Sequence, residues 1–527
     1  MNPWLLRTVA FLHLLAALPV SGQEPGSIGS RFLSTDSWTY EAIERLRTRG
    51  RLAGLNPLSQ PYRRIDVAAE LASLDPAALD EPSATWVRQL QKELAPERLR
   101  LGESEGGEAF GFELVAGATG ADSRRRDPVV PYYPPNDAPN DESLRDRVWA
   151  LAGGSLWLET HNVAAETRMY RDWWRGEENG DPDGSKPGGY ADKAYLAVAF
   201  SWGDLWFGRL GRNWGPVGQT GLMIGDNPTA YPQVGLDVGR ARFTLQFMGG
   251  ELEPLEGRRR YIVANRLSYG TPDLWISVGE AVLYSGDASL LHVLKPLEIL
   301  LYSHNANENA EDDRALTGNV MLNAMFWARR GPAAFYGEFV LDDFDLNPRI
   351  GSEERPVEAT SYHLELGGRY VGFPALELGL DYRRISGWSY RSGRDEERWT
   401  YLERGLGDPW SDYDRVTLRA DVFPSVPGLR VGPVVQVQRK GEGDYRDPFP
   451  ADLLGRPGIF HGVTETTRRV ALQGRYQPVR EVFVEWDLGR SFISNQGHEE
   501  GVSEGRFSFL AQVAVTLAWS GGASPGG

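Results

Sequence analysis

The sequence predicts an all-β transmembrane barrel of about 18 antiparallel strands, preceded by a small N-terminal α-helical bundle. Two observations carry this prediction. The hydrophobic period changes near Gly107 from about 3.6 residues to about 2, and it then stays at about 2. Short and long connections also alternate between the segments that this pattern marks, as in barrels whose turns lie at one end and whose loops lie at the other.

The first 22 residues have the pattern of a secretory signal peptide. Arg7 precedes an apolar core over residues 9–20, and the small residues Ser21 and Gly22 follow it. Because this core is too short to span a bilayer comfortably, we expect cleavage after about Gly22 rather than a retained membrane anchor. The mature chain is therefore predicted to be exported and to reside in the bacterial outer membrane.

Residues 23–106 are predicted to form the helical bundle, either as a periplasmic lid or as a plug of the barrel. Three short helices are expected, because apolar residues recur at helical spacing between capping residues and prolines. The residues that set the spacing or bound the helices are Ser34, Thr35, Asp36, Trp38, Ala42 and Leu46 in the first, 66–74 in the second, and Pro82, Trp86, Leu90, Leu94 and Pro96 in the third.

Residues 107–519 are predicted to form the barrel, and residues 520–527 a flexible tail. Over residues 376–383, apolar side chains alternate with Glu377, Asp381 and Arg383, which gives one apolar and one charged face. Such a strand suits lipid on the outside and a polar lumen inside. The aromatic residues expected in girdles at the membrane interfaces are Trp202, Trp206, Tyr370, Tyr382 and Trp519.

The connections between strands divide into two sets. Tight turns are expected at 270–273, 330–332, 372–374, 424–428 and 477–478, all at one end of the barrel. Long polar loops are expected at 285–314, 345–360, 388–411, 441–464 and 494–505, all at the other end. A short strand over 218–224 is needed to make the strand count even, as bacterial single-chain barrels require.

Charge and composition exclude several classes of protein. The chain has 56 Lys and Arg against 72 Asp and Glu, a net charge of -16, which is the wrong sign for nucleic-acid binding. The absence of cysteine excludes disulfides, thiol catalysis and Cys-ligated metals. Asp343, Asp345 and Asn347 have the spacing of a calcium loop, but Pro348 replaces the required glycine. No metal and no cofactor is predicted, and this segment is expected to be a solvated loop.

An enzyme is not predicted. The chain has seven histidines, and His363 is the one on a clearly polar strand face, with no nucleophile near it in sequence. A dyad stays open, because a nucleophile and its base need only meet in space. A pair of carboxylates for glycoside hydrolysis also stays open, although no local spacing singles out such a pair.

The segment 208–218 is the strongest candidate for a binding site. Arginine binds a carboxylate through two parallel hydrogen bonds, and tryptophan stacks on the apolar face of a sugar ring. Arg209, Arg212 and Trp214 are therefore suited to an anionic sugar. The residues themselves also allow a barrel turn with a girdle tryptophan and lumen-wall arginines. The further residues assigned to this segment are Asp226 and Tyr231, which orient it, and Gly215, Pro216 and Gly218, which form a structural turn.

The sequence resembles the Wzi-type capsule-assembly proteins of bacterial outer membranes. Gly208, Arg209 and Arg212, followed by residues 214–216, match that family's strand end and its Trp-Gly-Pro turn. The chain departs from the pattern after Pro216, where a glycine often follows directly. Further matches are residues 280–284, 336–339 and 342–343, and Trp38, Tyr40, Ile43 and Leu46 in the helical segment.

The resemblance implies roughly 18 strands closed around a helical bundle and a lectin-like role without covalent chemistry. The chain is then expected to bind exported capsular or extracellular polysaccharide and to help attach or organise it at the cell surface. Its other expected partner is outer-membrane lipid, and a monomer is predicted. Whether proteins of the polysaccharide export machinery also bind stays open. The alternative is an outer-membrane diffusion channel, a porin, for small polar solutes.

Overall fold

The computed structural model describes residues 27–102, 107–122, 128–129, 148–174, 190–239, 242–286, 317–342, 361–392, 394–447 and 459–523. The signal peptide predicted for residues 1–22, the calcium-like spacing at 343–347 and the loops predicted at 285–314 and 345–360 fall outside these ranges, apart from residues 285–286. Among the described residues, no helix is long and apolar enough to cross a membrane.

A single sheet of 18 antiparallel strands makes up most of the described chain. The sheet is closed, because β1 pairs with β2 on one edge and with β20 on the other. The strands of the barrel are β1 Glu108–Ala121, β2 Val148–Glu159, β3 Val163–Asp172, β4 Tyr190–Phe200, β5 Gly203–Arg209, β6 Pro232–Val238, β7 Phe243–Leu255, β8 Arg258–Thr271, β9 Leu274–Ser285, β10 Thr317–Arg330, β11 Ala333–Asp342, β12 Ser361–Phe373, β13 Leu376–Ile385, β16 Tyr413–Val422, β17 Leu429–Lys440, β18 Glu465–Val479, β19 Val482–Ser494 and β20 Ser503–Ala523. A small hairpin, β14 Thr400–Tyr401 and β15 Arg404–Gly405, lies outside this sheet.

The predicted fold class is confirmed, with differences in three places. The last strand continues to Ala523, so the boundary predicted at residue 519 falls inside β20. The turn predicted at 477–478 follows Val479 instead. The short strand predicted over 218–224 is wrong, because residues 210–231 contain no strand and fold into the lumen. The even count arises without it.

The connections confirm the predicted two-ended arrangement. The turns that join β8 to β9, β10 to β11, β12 to β13, β16 to β17 and β18 to β19 lie at one end, named here the short-turn end. The opposite end, the loop end, carries the longer connections and one tight turn between β7 and β8, where Glu256 and Gly257 both have positive φ.

The outward face of the wall is apolar, and aromatic residues gather at its short-turn end. Trp519 lies 5.5 Å from Phe110 between ring centroids, and Trp202 stacks on Phe200 at 4.9 Å. Both pairs lie where a girdle of aromatic residues is expected at a membrane interface. Trp206, which was predicted to belong to a girdle, instead points into the lumen and is 1% exposed. Alternation along β5 explains this, since Leu205 and Phe207 on either side of it are exposed.

Four α-helices precede the barrel in the described chain, one more than predicted. They are α1 Thr39–Thr48, α2 Arg64–Ala72, α3 Ser83–Glu93 and α4 Ala95–Leu101. Pro96 was expected to end the third helix, but it begins α4, where a missing N–H costs nothing. The caps predicted for Ser34, Thr35 and Asp36 are not used. The Ser37 hydroxyl instead accepts a hydrogen bond from the Thr39 N–H at 3.3 Å.

Candidate functional site

Residues 27–102, named here the plug, lie inside the short-turn end of the barrel and pair with its wall. On α1, Arg45 pairs with Glu377 of β13 at 3.0 Å and with Asp421 of β16 at 3.4 Å. These bonds fix one side of the plug, and similar pairs hold the others. Further plug–wall ion pairs include Arg31–Glu159, Arg100–Glu159, Asp36–Arg168, Arg63–Asp204, Glu44–Arg369, Arg49–Glu377, Glu41–Arg430 and Glu41–Arg475.

The ion pairs at Glu159 are buried. This carboxylate ends β2 and is fully buried, and it lies 3.4 Å from Arg31 Nε and 2.9 Å from Arg100 Nη1. Arg31 also stacks on the Trp157 ring, with Cζ 3.6 Å from the centroid. Since an unpaired buried charge costs about 3–5 kcal/mol, such pairs keep the plug seated even where their net contribution is small.

Residues 210–231, named here the inner segment, cross the lumen above the plug. Three backbone hydrogen bonds join them to the plug, from Gln60 N to Asn213 O at 2.9 Å, from Asn213 N to Gln60 O at 3.1 Å and from Val217 N to Pro57 O at 2.7 Å. Within the segment, the Trp214 N–H donates to Ile224 O at 2.8 Å. The inner segment and the plug therefore form one hydrogen-bonded unit.

The barrel wall and a loop hold the inner segment from its other side. The Glu338 carboxylate on β11 accepts from the N–H of Leu222 at 2.9 Å and of Met223 at 3.4 Å. Trp399, in the loop 386–412 that enters from the loop end, donates its indole N–H to Met223 O at 2.8 Å. Three layers thus lie across the lumen, namely the plug, the inner segment and this covering loop.

The sequence-predicted arginines and tryptophan all lie within or beside these layers. Gly208, at φ +129°, turns the chain so that the half-buried Arg209 reaches inward and donates to Ala230 O at 3.0 Å. Arg212 is buried, with its guanidinium 4.4 Å from the Trp206 ring centroid. Trp214 is fully buried.

The other predicted site residues shape the same segment. Asp226 accepts from the Thr220 hydroxyl at 3.0 Å, and the Tyr231 ring lies 5.4 Å from that of Tyr401. Gly218 has φ +83°, and the Pro216 carbonyl accepts from the Gln219 N–H at 2.9 Å. A Cβ on Gly215 would lie 2.6 Å from the Gly221 Cα. The two chain segments that meet in this turn are therefore too close for a side chain at residue 215.

These residues are together in space, but they form a packed core rather than an open cleft. The Cζ atom of Arg266 lies 5.0 Å from the centroid of the Trp214 ring. Arg212 and Trp214 are both buried, at 5% and 0% exposed. The assignment of sugar contacts to Arg209, Arg212, Trp214, Asp226 and Tyr231 stays a prediction. With the segment packed as it is, Arg209 is the one of the three key side chains that is not fully buried.

Sequence reasoning missed a set of aromatic side chains beside arginines at the loop end. Trp173 is 39% exposed and lies 4.9 Å from Arg171 Cζ. The half-buried Phe460 lies between Arg384 at 4.4 Å and Arg439 at 5.2 Å. The half-buried Trp410 has a third such partner, Arg446, at 5.9 Å. The signal available in the sequence was the density of tryptophan and tyrosine in the predicted loops, which no period-based argument uses.

The described residues contain no group of three or more His, Asp or Glu side chains placed to hold a metal ion. His363 is buried, with Nδ1 3.3 Å from Leu222 O and Nε2 3.8 Å from Asp342 Oδ2. It therefore helps to hold the inner segment.

No protein-family description and no curated protein matches this chain. Among solved structures, it is similar to Wzi of Escherichia coli, an outer-membrane carbohydrate-binding β-barrel involved in group 1 capsule assembly. The two share 14% identity with a TM-score of 0.60, over 92% of this chain and 99% of that one. OccK3 (OpdO) of Pseudomonas aeruginosa gives 13% identity and a TM-score of 0.43, over 78% and 96%. OccAB4 of Acinetobacter baumannii gives 12% and 0.44, over 78% and 98%. The predicted resemblance to Wzi-type barrels is confirmed for the fold, which is that of outer-membrane proteins.

Proposed function

We propose that this chain is an outer-membrane, lectin-like barrel that binds an exported capsular or extracellular polysaccharide and helps attach or organise it at the cell surface. The observation that supports this most is the occupied lumen, because three layers held by ion pairs and hydrogen bonds suit a fixed scaffold better than an open pore. The shared fold with a carbohydrate-binding barrel of E. coli agrees with it. In this proposal the loop end faces the outside and the short-turn end faces the periplasm.

The aromatic and arginine pairs at the loop end supply the chemistry that a polysaccharide needs. Trp173 and Trp410 offer ring faces for stacking on pyranoses, and their arginine neighbours attract acidic sugars. Phe460 adds a third such point between two arginines. A polymer repeats its sugars, so several weak contacts add by avidity and no single site has to be tight.

The sequence-predicted site has a supporting role in this proposal. Arg209 reaches toward the covering loop, with Nη1 3.5 Å from the Tyr401 hydroxyl, and it is the member that we propose contacts sugar. Arg212 and Trp214, with Asp226 and Tyr231, hold the inner segment beneath the loop end. The change Arg209→Ala is therefore expected to weaken binding in a folded barrel.

Binding of the purified full-length protein to the cell's own polysaccharide tests the proposal. We expect Trp173→Ala combined with Phe460→Ala to weaken binding about fivefold or more, since an aromatic contact contributes on the order of 0.5–1.5 kcal/mol per ring, or about 1–3 kcal/mol for two rings. The control is Leu402→Ala, which removes a loop-end apolar side chain of similar exposure, 37%. Equal binding by the unmodified protein, the double variant and the Leu402→Ala control, all folded, would contradict the assignment of polysaccharide binding to the loop end.

The alternative, a diffusion channel for small polar solutes, makes a different prediction for the unmodified protein. A porin of this strand number would show stable conductance steps in a planar bilayer. We expect the plug and the inner segment to prevent such steps. Steady porin-like conductance would favour the channel, if polysaccharide also binds equally to membranes with and without the barrel.

A further inference from the structure

Three cavities follow one another along the β16–β20 side of the lumen. The first, of about 340 Å³, opens between α1, α3 and the turn 424–428 at the short-turn end. The second, of about 290 Å³, lies between α1 and the inner wall. The third, of about 250 Å³, extends toward the loop end, where Asp122 and Trp174 line it. Together they reach from the short-turn end of the described barrel to the loop-end termini of β1 and β3.

The three cavities adjoin, because they share lining residues. Glu41 and Arg475 line both the first and the second cavity. Gln473 and Glu485 line both the second and the third. Arg430 lines all three. The opposite side of the lumen differs, since residues such as Trp275 and Ala281 there belong to a buried apolar cluster.

An ion-pair cluster lies at the junction of the first two cavities. The Glu41 carboxylate lies 2.6 Å from Arg45 Nη2, 2.8 Å from Arg430 Nε and 2.9 Å from Arg475 Nη1. Burial raises the pKa of Glu41, but the three guanidinium groups outweigh it and hold that pKa well below its usual range. One ionised carboxylate on the plug therefore ties together two arginines of the wall.

We propose that the cavities are an ion path along the β16–β20 wall, closed by the Glu41 ion-pair cluster and opened when that cluster separates. The path conducts small hydrated ions and not polysaccharide, because each cavity has room for roughly ten water molecules at about 30 Å³ each, far less than a chain of many sugars occupies. It adds an activity to the barrel and does not depend on polysaccharide binding.

The charges at the junction predict which ions pass. When the Glu41 carboxylate is removed, Arg475 loses that partner, while Arg45 and Arg430 keep Asp421 at 3.4 Å and 2.9 Å, so the opening gains one net positive charge. Rings of arginine or lysine select anions in other pores. The opened path is therefore expected to prefer chloride over potassium.

Planar-bilayer recording of the purified full-length protein in potassium chloride tests this path. We expect Glu41→Gln, which keeps the shape of the side chain, to raise the mean conductance at least about tenfold over the unmodified protein and to make it anion-selective. The matched control is Asp36→Asn, because Asp36 also pairs with a wall arginine, Arg168 at 3.2 Å, on another side of the plug. The control is expected to behave like the unmodified protein.

Introduced cysteines locate the path, since the natural chain has none. In the Glu41→Gln background, Gln473→Cys is expected to react with a charged thiol reagent, and the reaction should reduce the conductance. Ala281→Cys, on the apolar side, is expected not to react. Folded Glu41→Gln protein with unchanged conductance, or equal reaction at both cysteines, would overturn the proposal. Polysaccharide binding by the same variants is measured separately, and it is expected to equal that of the unmodified protein.

Discussion

Removing the Glu159 carboxylate should loosen the plug without unfolding the barrel. In Glu159→Ala, the guanidinium groups of Arg31 and Arg100, each 3% exposed, lose a shared partner. An uncompensated buried charge costs about 3–5 kcal/mol. Arg31 keeps Glu97 at 3.1 Å and Arg100 keeps the Gly29 carbonyl at 2.7 Å, so we expect the lower end, about 3 kcal/mol.

Hydrogen–deuterium exchange of the folded protein measures this change directly. A loss of about 3 kcal/mol in the local opening free energy speeds exchange in the plug helices by roughly a hundredfold, while the barrel strands keep their protection. The matched control is Glu81→Ala, because Glu81 pairs with Arg88 on the surface, where both side chains are more than half exposed. An exposed pair contributes about 0–1 kcal/mol. Equal exchange rates in the two variants would refute the claim that buried ion pairs seat the plug.

Three further predictions concern the inner segment, the end of β5 and the plug. Trp214→Ala should lower stability by about 3–5 kcal/mol through the cavity it leaves, and a thermal unfolding temperature within error of the unmodified protein would contradict this. Gly208→Ala should reduce the yield of folded barrel, since φ +129° is strained for a side chain and its Cβ would overlap the Ala194 carbonyl oxygen. Heat-modifiable migration on gels measures that yield, and an unchanged yield would show that the turn tolerates a side chain. Because the pKa of Glu41 is depressed, its stabilisation is complete above the unfolded pKa of about 4.3 and is lost only as pH falls through the lower folded value. Plug exchange corrected for intrinsic rates should therefore be the same at pH 7 and pH 5, and loosening already at pH 5 would count against the cluster.

The barrel could be predicted from the sequence because its signals are local. The alternation in residues 376–383 appears in the structure as β13, and the tight turns predicted at 270–273, 330–332 and 372–374 lie where the strands end. Each of these features can be recognised from residues that are neighbours in the sequence. The location of the plug was left open for the opposite reason. Glu41 and Arg475, which help to fix it, are 434 residues apart.

The inner segment shows where local reasoning fails. The parity of the strand count predicted a strand over residues 218–224, but the backbone N–H groups of Leu222 and Met223 donate to Glu338 and the Met223 carbonyl accepts from Trp399. Trp214 was assigned to sugar stacking because the apolar face of tryptophan packs equally well in a protein core and against a ligand. Only the tertiary packing of Arg266 and the covering loop distinguishes the two.

The proposed attachment of polysaccharide at the cell surface is tested most directly in cells. The measurement is the fraction of extracellular polysaccharide that stays cell-associated, compared between a deletion strain and the same strain complemented with this chain. We predict that the deletion releases polymer into the medium at unchanged total amount and that complementation restores retention. Equal retention in both strains would contradict the account.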